Sequence, residues 1–404
     1  MSCGNDSRPS IVDSVMGADV AVGTLEAETS EKRPGERMRG AMRTMTRWTT
    51  IVPLLAAALL VAALVLGLSD PITLTAAVVL LCGAVLASVH HAEVVAHKVG
   101  EPFGSLILAV AVTVIEVGLI LTIMSGGGED AQTLARDTVF AAAMITMNGI
   151  VGLALFFATI KRPTVRFNAD GASAALATAI SLAVVTMVLP TLTTSAPGPQ
   201  FNGVQLAFAA VASLALWGLF VATQTVRHRS FFLPVDDQGR PLETNADEAD
   251  PPSMRATITS LALLLVALIS VVGLAKVASP AIEAGVAMAG LPKSFVGVVI
   301  ALLVLAPETL AAVKAARRDR MQISLNLAYG SAIASIGLTV PVIAISTIWN
   351  PGPLMLGLDP IGMGLLAVTA VVSVLTVVRG RATRQQAGLH LVLAAAYVFL
   401  MANP

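Results

Sequence analysis

Charge is scarce in this chain. Asp, Glu, Lys and Arg make up 12% of its 404 residues against 56% hydrophobic, a balance outside the range of soluble globular domains. Water is therefore not its main solvent. The charges that exist cancel, 25 basic against 25 acidic, so no global basic field points to a nucleic-acid partner and only local placement can inform. Cysteine is scarcer still: Cys3 falls in a polar stretch and Cys82 in an apolar run, which gives neither a disulfide framework nor a metal-ligand spacing. Residues 1–45 also lack the apolar core and cleavage site of a secretory signal; rich in Ser, Glu, Arg and Gly, they read as a disordered cytoplasmic tail.

What is present is a series of apolar stretches, each long enough to cross a hydrocarbon layer of about 30 Å. They lie near 50–67, 72–95, 103–124, 137–160, 172–190, 203–226, 256–276, 294–314, 322–347, 358–378 and 385–402, separated by short segments with Gly, Pro, Asp or Asn. The expected fold class is an all-α polytopic membrane protein of about eleven transmembrane helices. Lys and Arg in the connections set orientation, because they are retained on the cytoplasmic side. With the N-terminus inside, the basic groups around Arg37 to Arg47, Lys98, Lys161 to Arg166, Arg227 and Arg229, Lys314 to Arg320, and Arg379 to Arg384 all face the cytoplasm, leaving Arg136, Lys276 and Lys293 outside. The C-terminus then faces out.

These signals divide the chain into a tail (1–45), an extra first helix (46–70), a five-helix group (71–226), a cytoplasmic acidic linker (227–255) and a second five-helix group (256–404). The linker carries Asp236, Asp237, Glu243, Asp247, Glu248 and Asp250, and reads either as a solvated connection or as a cation-attracting strip at the cytoplasmic mouth.

Two acids lie deep inside apolar runs: Glu116 in LAVAVTVIEVGLILTIM and Glu308 in VVIALLVLAPETLAAV. An uncompensated carboxylate at mid-membrane costs at least a few kcal/mol, so its surroundings must be polar, protonated or cation-loaded. Their settings repeat. Glu116 follows Gly100-Glu101-Pro102-Phe103-Gly104, and Glu308 follows Pro292-Lys293-Ser294-Phe295-Val296-Gly297. Each is on the second helix of its group, followed by a helix with small, hydroxyl or amide residues: Thr146 and Asn148 in one, Asn326, Gly330, Ser331 and Ser335 in the other. Five is odd, so the groups enter the membrane from opposite sides as inverted repeats, with a substrate site expected near the midplane at their interface.

Two carboxylates there form a pair of hard oxygen donors suited to a hard cation. Without the ion they cannot both stay ionised in low dielectric, so protons replace it and exchange follows from competition for the same oxygens. Pro307 lacks an N–H and frees the Leu303 carbonyl as a further oxygen, and Thr113, one turn before Glu116, offers a hydroxyl on the same face. No nucleotide, redox centre, covalent intermediate or other cofactor is needed. The expected partners are inorganic cations, protons and the lipid bilayer, with no nucleic acid and no protein partner indicated.

GEPFGSLILAVAVTVIEVGLI at 100–120 and the stretch from Phe295 through PETLAAVKAARRDRMQISLNLAYGSAIASIGLTVP, 295–341, resemble the two alpha repeats of the calcium/cation antiporter superfamily. The similarity is closest to its bacterial calcium/proton antiporter branch and extends to the cation/proton exchangers of plants and fungi. It implies that Glu116 and Glu308 bind the cation and alternately carry protons, and that Asn148, Gly330, Ser331 and Ser335 add ligands. It also implies a bacterial inner membrane location. The exchangers' Gly-Asn before each glutamate reads Val112-Thr113 and Val304-Leu305 here, so fewer side-chain oxygens surround the ion, and relatives in this branch also move sodium or potassium. The expected activity is Ca²⁺/H⁺ exchange, with Na⁺ or K⁺/H⁺ exchange at the same pair as the alternative. A channel would require a ring of repeated polar positions that no span shows, and an intramembrane hydrolase a His pair with an acid on one helix.

His90, His91 and His97 with Glu93 gather at the cytoplasmic end of the second span, and read as a plain helix end, as a wetted rim that helps deliver protons, or as a transition-metal or pH-sensing cluster. Glu101 reads as a helix cap or a proton-uptake group, and Glu283 and Asp359 as loop residues at the outer face.

Overall fold

In the computed structural model the described residues are 34–99, 103–124, 131–236, 238, 240, 252–349 and 352–403. The chain divides at Thr44 into two units, and the helices packed together belong to the second, Met45–Pro404. Among the described residues eleven helices account for the membrane region. They are α1 (Pro34–Leu66), α2 (Pro71–Val99), α3 (Phe103–Met124), α4 (Gln132–Ala158), α5 (Ala169–Leu192), α6 (Gly203–Arg227), α7 (Met254–Met288), α8 (Phe295–Arg317), α9 (Met321–Ser346), α10 (Pro360–Val377) and α11 (Arg384–Ala402). Ten are long and apolar enough to cross a membrane, α1 through its Trp48–Leu66 part, while α3 contributes a shorter apolar stretch at Val110–Thr122 among the described side chains.

The helix starts follow from local chemistry. Asp70 accepts from the amides of Ile72 and Thr73 at 3.1 Å, just before Pro71 opens α2, and the Thr73 hydroxyl and then its amide hold the Asp70 carboxyl below its ordinary pKa. Asn202 and Gln205 form a capping box on α6, and Asp359 caps α10 ahead of Pro360. Two expectations need correction here. α1 begins at Pro34, inside the segment 1–45 expected as a tail, and α7 runs on to Met288 past the expected 256–276 span. Glu283 is therefore a helix residue, accepting from Ser279 at 2.8 Å, and Pro280 sits within the helix. Asp359 borders a loop as expected, but works as a cap.

The connections meet according to parity. After α4 and after α10 lie the short strands β1 (Thr164–Arg166) and β2 (Arg381–Thr383), which pair antiparallel with Val165 opposite Ala382. On the same side Arg162 reaches Asp319 at 3.3 Å and Asn326 donates to the Phe232 carbonyl at 2.7 Å. These joins link the connections that follow α4, α6, α8 and α10. At the other end the segment after α9 is strapped to those after α3 and α5: the Met355 amide donates to the Gln132 carbonyl at 3.1 Å and the Gly357 amide to the Pro199 carbonyl at 2.9 Å. Even connections meet even ones and odd meet odd, as they must if every helix from α3 to α11 crosses once. The group α2–α6 thus starts on the side opposite to α7–α11, which is the inverted arrangement.

Apolar packing forms two main clusters. One centres on α4, α5, α9, α10 and α11, and the other on α1, α2 and α7. Among the described residues α3 and α8 contribute to both clusters and form the seam: Ile120 joins the first cluster while Ile115 and Leu119 join the second, and Ala301 and Leu305 face one while Ile300 and Val304 face the other. Glycines allow close approach there. A Cβ on Gly297 of α8 would stand 3.1 Å from the backbone of Asp137 and Thr138 on α4, and one on Gly118 of α3 would stand 2.4 Å from Val272 on α7.

Candidate functional site

The seam helices carry the two intramembrane acids. Glu116 on α3 is 4% exposed and Glu308 on α8 is 8% exposed, so both have left solvent almost completely. The helices that bear them, α3 and α8, pack against each other. Glu116 Oε1 accepts from Ser335 Oγ of α9 at 2.5 Å. Glu308 Oε2 is buried and has no hydrogen-bond partner among the described residues. A buried carboxylate oxygen in that condition is costly unless a proton or a cation completes it, so the arrangement is competent to hold either.

Around the pair the sequence-nominated residues fall unevenly. Thr113 is buried one turn before Glu116 on α3. Ser331 lies one turn before Ser335 on α9, half-buried, and a side chain added at Gly330 would meet nothing within 4 Å, so space opens beside that helix. α8 continues through Pro307, which has no N–H to offer the Leu303 carbonyl four residues back. Thr339 was not singled out from sequence. Its hydroxyl is fully buried and unpartnered among the described residues, and it continues the Ser331–Ser335 face by one further turn, a hydroxyl ladder at four-residue spacing that could have flagged it.

Other nominated residues serve elsewhere. Asn148 makes no hydrogen bond to either glutamate; its Nδ2 donates to Thr369 Oγ1 at 2.9 Å and its Oδ1 lies 3.1 Å from His390 Nδ1. His91 is buried, with Nε2 2.9 Å from the Thr49 carbonyl, and so ties α2 to α1. His90 stands edge-on to it at 5.5 Å between ring centroids. Among the described residues no three His, Cys, Asp or Glu side chains gather to hold a metal ion. Glu101 lies outside the described residues.

Two inversely inserted five-helix groups with a buried acid pair at their seam define a multi-pass ion antiporter. The chain belongs to the sodium/calcium exchanger protein family, which it matches over residues 69–226 and 259–403, and so to the calcium/cation antiporter superfamily. Each matched stretch takes in one five-helix group. Among its relatives, the y4hA protein of Sinorhizobium fredii is 41% identical over 359 residues, covering 88% of this chain and 96% of that protein. The sodium-potassium/proton antiporter ChaA of Escherichia coli is 33% identical over 314 residues, 77% of this chain and 83% of ChaA. In fold it is similar to native YfkE, with a TM-score of 0.64 at 17% identity over 88% of this chain and 99% of that one. It is likewise similar to the H⁺/Ca²⁺ exchanger CAX, with a TM-score of 0.62 at 16% identity over 87% of this chain and 93% of that one.

Proposed function

We propose that this chain exchanges Ca²⁺ for protons across a bacterial inner membrane, with Glu116 and Glu308 holding the cation and the protons in turn. The observation that carries the reading is the buried pair itself: two carboxylates on packed seam helices, one of which has an oxygen without a partner among the described residues. Together they supply two negative charges, which one divalent ion neutralises and which two protons neutralise equally well. Thr113, Ser331, Ser335 and the Leu303 carbonyl are the neutral oxygens proposed to complete the shell, with Gly330 giving the ion room. Because the ion and the protons compete for the same atoms, the site faces each side loaded with one or the other, and rocking of one five-helix group against its inverted counterpart carries them in opposite directions.

A second reading, Na⁺ or K⁺ for protons at the same pair, is favoured by the 33% identity to ChaA, which is a sodium-potassium/proton antiporter. The side bearing β1, β2 and the ends of α8 and α10 carries Arg162, Arg166, Arg318, Arg320, Arg379 and Arg381, and is proposed as the cytoplasmic one, with the C-terminus outside. The test is transport in everted vesicles, adding Ca²⁺, Na⁺, K⁺ and Mg²⁺ in turn and following collapse of the pH gradient. Collapse by Ca²⁺ alone supports the first reading, and collapse by Na⁺ or K⁺ without Ca²⁺ the second. A gradient indifferent to all four cations removes both.

A further inference from the structure

A second buried polar cluster has its partners on α4, α10 and α11, away from the helices that carry the glutamates. His390 of α11 is 0% exposed, and both ring nitrogens are engaged: Nδ1 lies 3.1 Å from Asn148 Oδ1 on α4 and Nε2 3.1 Å from Thr376 Oγ1 on α10. Asn148 Nδ2 donates to Thr369 Oγ1 at 2.9 Å, which sets the sense of the amide and leaves its oxygen to accept from the ring. This pairing puts a hydrogen on Nδ1, while Nε2 meets the oxygen of the Thr376 hydroxyl, which itself donates to the Val372 carbonyl 2.8 Å away. α10 carries no ionisable residue, so the ring is a hydrogen-bonding link and no half of an ion pair with that helix. One imidazole thus joins three helices.

What it joins is unusual. Residues Ile145–Ile150 of α4 form a π-helical turn, a winding that is rare in proteins and occurs mostly as single turns inside α-helices, and Asn148 lies within it. The same turn packs against α8 and α9, the helices of Glu308 and Ser335. Asn148 therefore bonds α10 and α11 with its amide, while the turn that contains it packs on the two helices that shape the site.

We propose that His390 is a positioning residue for cation exchange: by holding the Asn148 amide it fixes the π-turn of α4 against α8 and α9, and so sets the spacing of the oxygens around the cation without touching the cation. The inference rests on the reading of Glu116 and Glu308 as the exchange site. Asn148, which the family resemblance nominates as a ligand, acts here as the link between the ring and the π-turn.

The test uses the full chain, purified and reconstituted in liposomes, with Ca²⁺, Na⁺ and K⁺ each supplied as the cation. His390→Leu removes both ring bonds, Asn148→Ala removes the amide, and His390→Gln restores a donor and an acceptor. His390→Leu is expected to raise the half-saturating cation concentration about tenfold while the maximal rate stays within about twofold, and His390→Gln to recover most of that loss. The double variant should be no worse than Asn148→Ala alone, because the two residues act as one unit. Amide hydrogen exchange over residues 145–151 should quicken in His390→Leu and not in His390→Gln. Quickened exchange with an unchanged half-saturating concentration would make His390 a stability residue only, and additive losses in the double variant would mean that it does not act through Asn148; either result overturns the proposal. Should His390→Leu fail to insert, Thr376→Val removes the Nε2 partner alone and is expected to weaken apparent affinity about threefold, an unchanged value again overturning it. A wild type that exchanges no cation for protons would sink the reading of the glutamate pair and this inference with it, a result distinct from a working wild type whose variants do not respond.

Discussion

The Ser335 hydroxyl on α9 donates to Glu116 Oε1 on α3 across 2.5 Å, so the second five-helix group holds the acid of the first. The contact spans the seam about which the two groups would have to move. Ser335→Ala deletes one neutral oxygen and one donor, and is expected to weaken equilibrium cation binding about three- to tenfold at fixed pH, in line with a loss of roughly 1 kcal/mol. Ser335→Thr keeps the hydroxyl and should restore most of it. Calorimetric titration of the purified protein makes the measurement, and equal affinities for Ser335→Ala and wild type would assign this serine to packing.

Glu116→Gln and Glu308→Gln should each abolish exchange while leaving insertion intact. An amide keeps the shape but removes the charge for which proton and cation compete. The comparison is cation-dependent proton flux in everted vesicles with equal amounts of folded protein. Retained flux in either variant would end the assignment of the pair.

Much of the fold was legible because apolar runs of span length leave few alternatives, and because Lys and Arg in the connections fix parity. The extent of α7 was not. The expected apolar span stops near residue 276, where Lys276 and then Pro280 interrupt the run, yet a membrane helix tolerates proline where neighbours or water satisfy the freed carbonyl. Of the site, Glu116 and Glu308 stood out because a lone acid in an apolar run has few structural explanations. Thr339 did not, since a single threonine in a membrane helix usually bonds its own backbone, as Thr309 does to the Leu305 carbonyl at 2.7 Å. The His390–Asn148 contact joins residues 242 apart in sequence, and nothing local to either one announces the other.

The α4–α8 contact depends on Gly297. Because an added Cβ would stand 3.1 Å from the Asp137 and Thr138 backbone, which cannot turn aside as a flexible side chain can, Gly297→Val should force the helices apart. The expected cost is about 1–3 kcal/mol, seen as a lower thermal unfolding midpoint in detergent. Gly285 on α7 is the control: a Cβ there meets nothing within 4 Å, and Gly285→Ala should be neutral or slightly stabilising. Equal midpoints for Gly297→Val and wild type would mean that the close approach carries no energy.

Sidedness is testable by labelling single cysteines in a background carrying Cys3→Ser and Cys82→Ser. Thr194→Cys, exposed in the connection after α5, should react with a membrane-impermeant maleimide in intact cells. Thr164→Cys, exposed at the start of β1 after α4, should react only in everted vesicles. The reverse pattern would keep the parity of the crossings and invert the orientation proposed from the basic connections.

The pH dependence separates the two candidate cations. A protonated carboxylate cannot ligate a metal ion, so raising the pH through the range where Glu116 and Glu308 titrate removes the competitor and must strengthen cation binding. Above that range both groups are ionised and the affinity levels off. Linkage gives the slope: the change in the logarithm of the affinity per pH unit equals the number of protons released on binding. Ca²⁺ displacing two protons therefore gains about a hundredfold per pH unit while both groups titrate, whereas Na⁺ or K⁺ displacing one gains about tenfold. Equilibrium binding to purified protein is the right measurement, because vesicle rates mix binding with the conformational step. A slope near two with Ca²⁺ supports the divalent cycle and a slope near one with Na⁺ or K⁺ the monovalent one. Affinity independent of pH throughout the range where transport operates would mean that these glutamates do not trade protons for the cation, and exchange by competition at the seam would have to be given up.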